Sequence, residues 1–542
     1  MRVDRNVAVE MRDGVALRAD VYRPGATVPV PVLLLRTPYD RTHPLIPHSG
    51  IDPEAAVEAG FAVVCQDVRG QYGSEGEFTT FLHEGTDGYD SVEWAASQPW
   101  SSGAVSMVGR SYAGACQWLA AAEQPPHLVA IAPVVTGSDY YEGWIYQGGA
   151  FQLGFNLFWA QLMADPRGAK RIDELYRQRP LASVSIPDAK YGRIYREWLD
   201  HPTDDAYWQA LSINRRYGRV RVPVLNVGGW YDIFLRGTLE NFVRMQREAG
   251  SEHARRGQRL VIGPWSHGST FGPYPDHSFD IFGPMSAIDL TEVQLGFFSQ
   301  RDEDESPVRI FVMGENRWRD ADAWPPERAE PRQWFLHGGG SLSPLPPGRE
   351  PPDTFVYDPA DPAPTVGGPV SLPGPMTRPN SGPLDQRRVE ERPDVLVYTS
   401  EPLEQPLEVV GPLGVTLHAT TSAQDTDFVA KLCDVWPDGV SRILTEGIRR
   451  ASFREGYDRR RPVEPGRVYA YTIDLVATAN VFQPGHRVRI VITSSSFPRF
   501  DPNPNTGGPL GEDDPGDARP ARQTIFHDSE HPSHVLLPVV SR

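Results

Sequence analysis

Cysteine is scarce in this sequence, with Cys65, Cys116 and Cys433 as the only three among 542 residues. Three scattered cysteines exclude a disulfide scaffold or a cysteine-based zinc site and are typical of a reducing compartment. No stretch approaches the roughly 18 uninterrupted apolar residues of a membrane helix. The N-terminus has no apolar stretch after its first basic residues, so we expect no secretory signal and a cytoplasmic location.

Positive charge is also in short supply. The 53 Lys and Arg residues are outnumbered by 70 Asp and Glu residues, which leaves a formal net charge of −17. Nucleic-acid binding needs a basic surface, so we expect no nucleic-acid partner, and we expect no membrane partner either. The sequence has no internal repeat. No histidine or cysteine cluster has metal-ligand spacing, so we expect no metal and no other cofactor.

The N-terminal quarter predicts an α/β domain. A hairpin is indicated around Asp13-Gly14, and short apolar runs at 30–35, 61–65, 105–108 and 128–135 alternate with helical patterns. Strands that are apolar throughout are covered on both faces, which favours a mostly parallel sheet. We assign residues 1–137 to the first half of this domain.

The pattern changes after residue 137. Residues 138–216 are aromatic and helical without an evident buried strand, which predicts a helical cap inserted into the domain. Buried strands then resume, so 217–327 is interpreted as the second half of the same sheet. Proline is enriched between 321 and 410, and the short alternating strands of 328–542 predict an antiparallel β-sandwich.

A serine lies where a buried strand meets a helical run, in the segment from Gly109 to Gly114. A serine on such a sharp turn, here Ser111, has its hydroxyl exposed above the sheet, and the helix N-terminus can stabilise an oxyanion beside it. The usual motif has glycine two residues after the serine, whereas this chain has Ala113 there. The alternative is an ordinary Gly/Ser loop.

Two further residues fit a catalytic triad. In this fold an acid and a histidine follow the serine in that order, each after a strand. Asp232 follows the strand that ends near Val227, and His267 follows the strand at 260–262, with the intervening glycine-rich segments expected as loops. The histidine would accept the serine proton and the carboxylate would fix its tautomer.

With these motifs in place, the sequence resembles the cocaine esterase family of serine hydrolases, within the group of X-Pro dipeptidyl-peptidase-like and α-amino acid ester hydrolases. The resemblance spans almost the whole chain. It is carried by the segments MRDGVALRADVYRP, LLLRTPYDR, QDVRGQYGSEGEF, GRSYAGACQW, VGGWYDIF, VIGPWSHG, YDPADPAP, DTDFVAKLCDVWPDG and NVFQPGHRVRIVITSSSFPRFDPNPNTGG. It implies an α/β-hydrolase sheet with a helical cap insertion and a C-terminal all-β jelly-roll domain.

The resemblance also implies roles for individual residues. It makes Ser111, Asp232 and His267 the nucleophile, the acid and the base. It assigns the remaining site residues as follows: the Tyr39 hydroxyl and the Tyr112 N–H form the oxyanion hole, and Trp144, Trp159 and Phe234 line the substrate pocket, although cap aromatics are also common core residues. Ile233 and Arg110 depart from the family pattern, which questions a cocaine-type substrate.

The expected activity is that of a serine esterase, or a broader acyl hydrolase, acting on a small-molecule ester. One alternative is an amide-cleaving relative: an acylase, an α-amino acid ester hydrolase or an X-Pro dipeptidyl-peptidase. The last two need an anionic anchor for the substrate amine, and Glu142 is the one candidate near such a position. A less favoured alternative is a non-catalytic ligand-binding protein. The sequence is compatible with a homodimer.

Overall fold

The computed structural model describes residues 1–25, 28–166, 171–270, 273–300, 306–373, 380–514 and 516–541. All predicted site residues lie within these ranges. Among the described residues, no helix is long and apolar enough to cross a membrane.

Up to Val134, the described residues form six strands of a ten-stranded sheet and three α-helices. The strands are β1 (Arg2–Glu10), β2 (Ala16–Arg23), β3 (Val30–Thr37), β4 (Ala62–Asp67), β5 (Ser101–Arg110) and β6 (Leu128–Val134); the helices are α1 (Pro53–Glu58), α2 (Glu84–Ala96) and α3 (Tyr112–Ala122). The predicted hairpin is confirmed, since β1 and β2 pair antiparallel. Every residue of β4 is buried, as its uninterrupted apolar run predicts for a central strand.

The inserted segment is mostly helical. It contains β7 (Tyr146–Gln147), β8 (Ala150–Phe151), α4 (Leu153–Ala164), α5 (Ile172–Arg177), α6 (Ala189–Asp200) and α7 (Ala206–Leu211). The sequence predicts no buried strand in this segment, but the structure has one short hairpin, β7–β8, whose four strand residues are all buried. Strands of two residues are too short to show the alternation from which a strand is predicted.

The sheet is then completed by strands from beyond the cap. This segment contains β9 (Val224–Tyr231), α8 (Leu235–Glu248), α9 (Glu252–Arg256), β10 (Gln258–Ser266), β11 (Pro273–Tyr274), β12 (His277–Ser278), α10 (Leu290–Phe298), β13 (Val308–Val312) and β14 (Arg317–Ala321). The strand order is β1-β2-β4-β3-β5-β6-β9-β10-β13-β14. Neighbours from β4 to β13 run parallel, so the carboxyl ends of β5, β9 and β10 lie at one edge.

In its described residues the C-terminal domain is all-β except for one short α-helix and a 3-10 turn at Ala451–Phe453. It contains β15 (Ala329–His337), β16 (Ser341–Ser343), β17 (Asp353–Tyr357), α11 (Arg387–Glu390), β18 (Leu396–Thr399), β19 (Leu407–Thr421), β20 (Asp427–Val435), β21 (Ser441–Arg450), β22 (Tyr469–Phe482), β23 (Arg487–Thr493), β24 (Ala521–Phe526) and β25 (His534–Val540). Its strands pair antiparallel apart from a contact between β16 and β18. The predicted fold class, an α/β-hydrolase sheet with a helical cap and an all-β jelly-roll domain, is confirmed.

A buried ion-pair network fastens the cap to the β-domain. Arg450 donates two hydrogen bonds to Asp427, at 2.8 and 2.9 Å, and a third to Asp501 at 3.0 Å. Asp501 also accepts from the backbone N–H of Phe151 in the cap at 2.8 Å. All three charged side chains are at most 5% exposed. Arg450 is therefore the counter-charge of two buried carboxylates, Asp427 and Asp501.

Replacing Arg450 by methionine should lower the free energy of unfolding by about 3–5 kcal/mol, because two buried carboxylates lose their counter-charge. Urea denaturation followed by tryptophan fluorescence measures this. The matched control is Arg256→Met, which removes a surface pair with Glu252 whose side chains are 82% and 65% exposed. A loss no larger than that of the control would show that Arg450 is not structural.

Candidate active site

The turn between β5 and α3 holds Ser111 in a strained conformation. Its φ of 57° and ψ of −124° are rare for a residue with a side chain and point the hydroxyl away from the sheet. A Cβ at Gly109 would lie 2.7 Å from the Cβ of Ala113, and one at Gly114 would lie 2.6 Å from Thr136 Cγ2. The usual motif has glycine at position 113, and this chain can have alanine there because the Ala113 methyl group faces Gly109, which has no side chain. The close contact with Thr136 is made by Gly114 instead.

The structure brings the three predicted triad residues into one hydrogen-bonded chain. His267 Nε2 lies 3.0 Å from Ser111 Oγ, and His267 Nδ1 lies 2.8 Å from Asp232 Oδ2. Asp232 Oδ1 accepts from the backbone N–H of Phe234 at 2.7 Å. The Asp232 side chain is fully buried, whereas that of His267 is 12% exposed. This places the base between a sequestered acid and a hydroxyl that faces the cleft.

The strands leading to the acid and the base are longer than the sequence predicts. Residues 228–231 and 263–266, expected as loops, are the last residues of β9 and β10. Glycine is normally a turn signal, but at Gly229 a Cβ would collide with the carbonyl oxygen of Trp265 on the neighbouring strand. These glycines therefore serve close strand packing. Asp232 and His267 still directly follow their strands.

Tyr39 follows β3, and its hydroxyl lies at the triad. The indole N–H of Trp159 donates to Tyr39 Oη at 3.2 Å, and the Ser111 side chain is close enough to act on the pKa of Tyr39. Burial raises the pKa of Tyr39, and this outweighs the lowering by Trp159, Ser111 and the charge of Arg110. The phenol is therefore protonated at neutral pH. Trp159 donates to a lone pair of the phenol oxygen, so the O–H of Tyr39 is left to donate to a substrate.

The side chain of Tyr112 is held by hydrogen bonds away from Ser111, so only its backbone N–H faces the nucleophile turn. The hydroxyl donates to Glu84 Oε1 at 3.1 Å and accepts from the N–H of Phe81 at 2.9 Å. Burial raises its pKa well above the ordinary value. As the first residue of α3, Tyr112 has an N–H that precedes the helix's own hydrogen-bond ladder. This N–H is available beside Ser111.

Aromatic side chains enclose the triad. The ring centroids of Trp144 and Phe234 are 4.1 Å apart, and Phe234 lies edge-on to His267 at 5.1 Å. Trp159 stacks parallel to the Tyr112 ring at 6.4 Å. The sequence prediction missed Phe155, which lies 6.0 Å from the His267 ring and 5.5 Å from Phe234. Its position four residues before Trp159 on α4 is the signal that places both on one helix face.

Glu142, the candidate ammonium anchor, has its hydrogen bonds away from the triad. Its carboxylate accepts from the N–H of Gly148 at 3.1 and 3.2 Å and lies 3.9 Å from Arg236. Arg236 in turn pairs with Asp474 in the β-domain. Glu142 is therefore engaged in joining the cap to its neighbours.

Histidine and acidic side chains that lie together in the C-terminal domain form ordinary ion pairs. His527 lies 3.0 Å from Asp353 and 3.5 Å from Glu350 in the C-terminal domain. Within the part of the chain that the structure describes, no group of three or more His, Cys, Asp or Glu residues could hold a metal ion.

A cavity of about 750 Å³ lies elsewhere, between the cap and the β-domain. Tyr176 and Arg179 line it from the cap, and Phe497 and Asp501 line it from the β-domain, but no triad residue does. Size alone therefore does not locate the chemistry, which we assign from the hydrogen-bond geometry of the triad.

The two halves of the chain match two family descriptions. Residues 13–269 match the X-Pro dipeptidyl-peptidase (S15 family), and residues 301–536 match the X-Pro dipeptidyl-peptidase C-terminal non-catalytic domain. The cocaine esterase of Rhodococcus sp. (strain MB1 Bresler) is 37% identical, with 100% of this chain and 99% of that protein covered.

Solved structures agree over the whole chain. An α-amino acid ester hydrolase superposes with a TM-score of 0.85 at 28% identity, covering 99% of this chain and 96% of the other. An aminopeptidase from the marine sediment archaeon Thaumarchaeota archaeon gives 0.83 at 27% identity, covering 100% and 96%. The chain therefore belongs to the X-Pro dipeptidyl-peptidase (S15) family, among its cocaine esterase-like serine hydrolases.

Proposed function

We propose that this protein is a serine esterase that cleaves small-molecule carboxylic esters through an acyl-enzyme on Ser111. The observation that carries the proposal is the hydrogen-bonded chain from Ser111 through His267 to Asp232 at the carboxyl ends of the parallel strands. Nucleophilic catalysis needs a hydroxyl, a base within reach of it and a group that orients the base, and all three are present here.

The geometry supports the following sequence of steps. His267 Nε2 takes the proton of Ser111 as the oxygen attacks the ester carbonyl, and Asp232 stabilises the resulting imidazolium. The oxyanion is held by the Tyr39 hydroxyl and the Tyr112 N–H. His267 then gives its proton to the departing alcohol. Water repeats the sequence on the acyl-enzyme and releases the acid.

Ester cleavage is preferred over amide cleavage because of what surrounds the triad. Trp144, Phe155 and Phe234 form an aromatic wall suited to an aryl or bulky acyl group. A dipeptidyl peptidase or an α-amino acid ester hydrolase needs a carboxylate for the substrate amine, and Glu142 is already engaged by Gly148. The amide-cleaving alternative is suggested by the match to an X-Pro dipeptidyl-peptidase family, and the substrates below separate the two.

A substrate panel tests the proposal. The protein should hydrolyse p-nitrophenyl benzoate and butyrate, and a fluorophosphonate should label Ser111. The matched p-nitroanilides and Xaa-Pro p-nitroanilides should be turned over at least 100-fold more slowly. Faster cleavage of the Xaa-Pro anilide than of the esters would replace the esterase by a peptidase, and absence of labelling and turnover together would favour a binding protein.

We also propose that the protein works in the cytoplasm. The support is that Cys65, Cys116 and Cys433 are all buried free thiols. Burial raises the pKa of each thiol, which keeps it unreactive. Fractionation of the source cells, followed by detection of the protein in the cytoplasmic fraction, tests the location.

Replacing Tyr39 by phenylalanine should lower kcat by about 10²–10³ with KM nearly unchanged, because the lost donor acts on charge that develops only in the transition state. The ring and its packing are kept. Steady-state kinetics with p-nitrophenyl benzoate measure the effect. Trp159→Phe is the matched control: it removes the donor to Tyr39 Oη but leaves the phenol proton, so a smaller loss is expected. An unchanged kcat in Tyr39→Phe would remove Tyr39 from the oxyanion hole.

A further inference from the structure

Arg110 places a guanidinium group beside the catalytic residues. It is the last residue of β5 and immediately precedes Ser111. Its Nη2 donates to the backbone carbonyl oxygen of His267 at 2.6 Å, and the side chain is half-buried. The charge therefore lies at the nucleophile turn, next to the segment that carries the base.

This charge has no carboxylate partner among the residues that the structure describes. The ionisable groups that act on the Arg110 guanidinium are Asp232 and Tyr39, both in the active site, and Tyr39 is a neutral phenol at neutral pH. Asp232 is fully buried and its two oxygens are occupied by His267 and the Phe234 N–H, so it makes no ion pair with Arg110. The only bond of Arg110 in the described structure uses one of its five N–H groups, on a neutral carbonyl.

The surroundings strengthen the charge. Phe155 and Phe234 pack against His267, whose carbonyl oxygen Arg110 contacts, and Trp144 packs against Phe234. Apolar surroundings of this kind lower the local dielectric and increase electrostatic interactions. Glu142, the cap carboxylate considered above as an ammonium anchor, has its hydrogen bonds to Gly148. The half-buried Arg110 is thus a cation in a largely apolar site, with donors left for an incoming group.

We propose that Arg110 selects esters whose acid half carries a second, negatively charged group and discriminates against acids that carry an ammonium group. The acid half is the relevant part because it becomes attached to Ser111, the neighbour of Arg110, and stays there through both halves of the reaction. This inference rests on the proposed esterase function. The preference would be opposite in charge to that of an α-amino acid ester hydrolase, whose substrate acid carries an ammonium group.

Three kinds of rigid substrate, which differ in one ring substituent, test the selection. They are the p-nitrophenyl esters of benzoic acids that bear a carboxylate, a methyl or a trimethylammonio group, each prepared in the meta and para series. After correction for their alkaline hydrolysis rates, wild-type kcat/KM should be about 10–100-fold higher for the carboxylate ester than for the methyl ester, the range that a charge-assisted hydrogen bond supports. The trimethylammonio ester should be slower than the methyl ester.

Variants of Arg110 separate charge selection from support of His267. Arg110→Met should lose the carboxylate-over-methyl ratio, whereas Arg110→Lys should retain most of it. Any damage to the His267 segment lowers all three rates together and cancels in the ratio. The matched control, Arg256→Met, removes an equally charged residue from the surface and should leave the ratio unchanged.

A binding measurement supplies an independent readout. Terephthalate should inhibit wild-type hydrolysis of the methyl ester competitively and more strongly than 4-methylbenzoate, and this difference should vanish in Arg110→Met. A ratio near one in the wild type, or one that survives in Arg110→Met, would overturn the role of Arg110 while leaving the esterase intact. Absence of Ser111 labelling and of turnover of every ester would overturn the esterase itself, and the charge selection with it.

Discussion

Replacing Ser111 by alanine should reduce ester hydrolysis by about 10⁶-fold, to the residual rate that binding and the oxyanion hole alone provide. The reason is that the variant lacks the oxygen that attacks the ester. His267 and Asp232 remain in place, but there is no serine hydroxyl for His267 to deprotonate. Stability should barely change, because the hydroxyl faces the cleft and alanine fits the same turn. Fluorophosphonate labelling, p-nitrophenyl ester hydrolysis and thermal melting measure the three quantities.

The matched control for this prediction is Ser97→Ala, which removes an exposed serine hydroxyl at the end of α2. It should retain full labelling and turnover. If Ser111→Ala were still labelled, or if it hydrolysed esters within tenfold of the wild type, the nucleophile would have to be another residue and the proposed mechanism would be wrong.

The meeting of the three triad residues could be predicted from the sequence, although 156 residues separate Ser111 from His267. Apolar strands that are buried on both faces imply a parallel sheet, and parallel strands bring their carboxyl ends to one edge. Any residue that directly follows such a strand is therefore near the others. What local sequence cannot supply is the distance, since hydrogen-bond geometry depends on strand twist and register.

Other features of the site depend on contacts between distant elements. The glycines near Asp232 and His267 carry the same local signal as a turn, but at Gly229 the reason for glycine is the backbone of Trp265 on the next strand. Phe155 is an ordinary apolar residue of α4 until the cap folds over His267. The bond from Arg110 to the His267 carbonyl likewise joins two strand ends, and no local pattern indicates it.

The C-terminal domain shows the same division. Short alternating strands predict an antiparallel sandwich, because alternation indicates one buried face. They do not predict that β19 pairs with β22, β24 and β25, strands that are far from it in the chain. Such pairing is decided by which registers bury all the apolar faces together, and that is a property of the whole domain.

Replacing Asp232 by asparagine should lower kcat by about 10⁴ while leaving the fold intact, because the change leaves the shape of the side chain and removes its charge. The structure fixes how the amide would lie. The Phe234 N–H donates to Asp232 Oδ1 at 2.7 Å, so the asparagine oxygen should take that place and turn the amide NH₂ toward His267.

An amide NH₂ that faces His267 Nδ1 is a hydrogen-bond donor, so Nδ1 can accept from it only when Nδ1 carries no proton. The proton of the neutral ring must then be on Nε2. Nε2 lies 3.0 Å from Ser111 Oγ, and once it is protonated it cannot take the serine proton.

Nitrogen-15 NMR of labelled protein should therefore show the proton on Nδ1 in the wild type and on Nε2 in Asp232→Asn. Asp232→Ala is the companion variant, because it removes the charge without presenting a donor and leaves the tautomer free. If Asp232→Asn kept its activity within tenfold, or if the proton stayed on Nδ1, orientation of the base by Asp232 would be excluded and another acceptor for His267 would be needed.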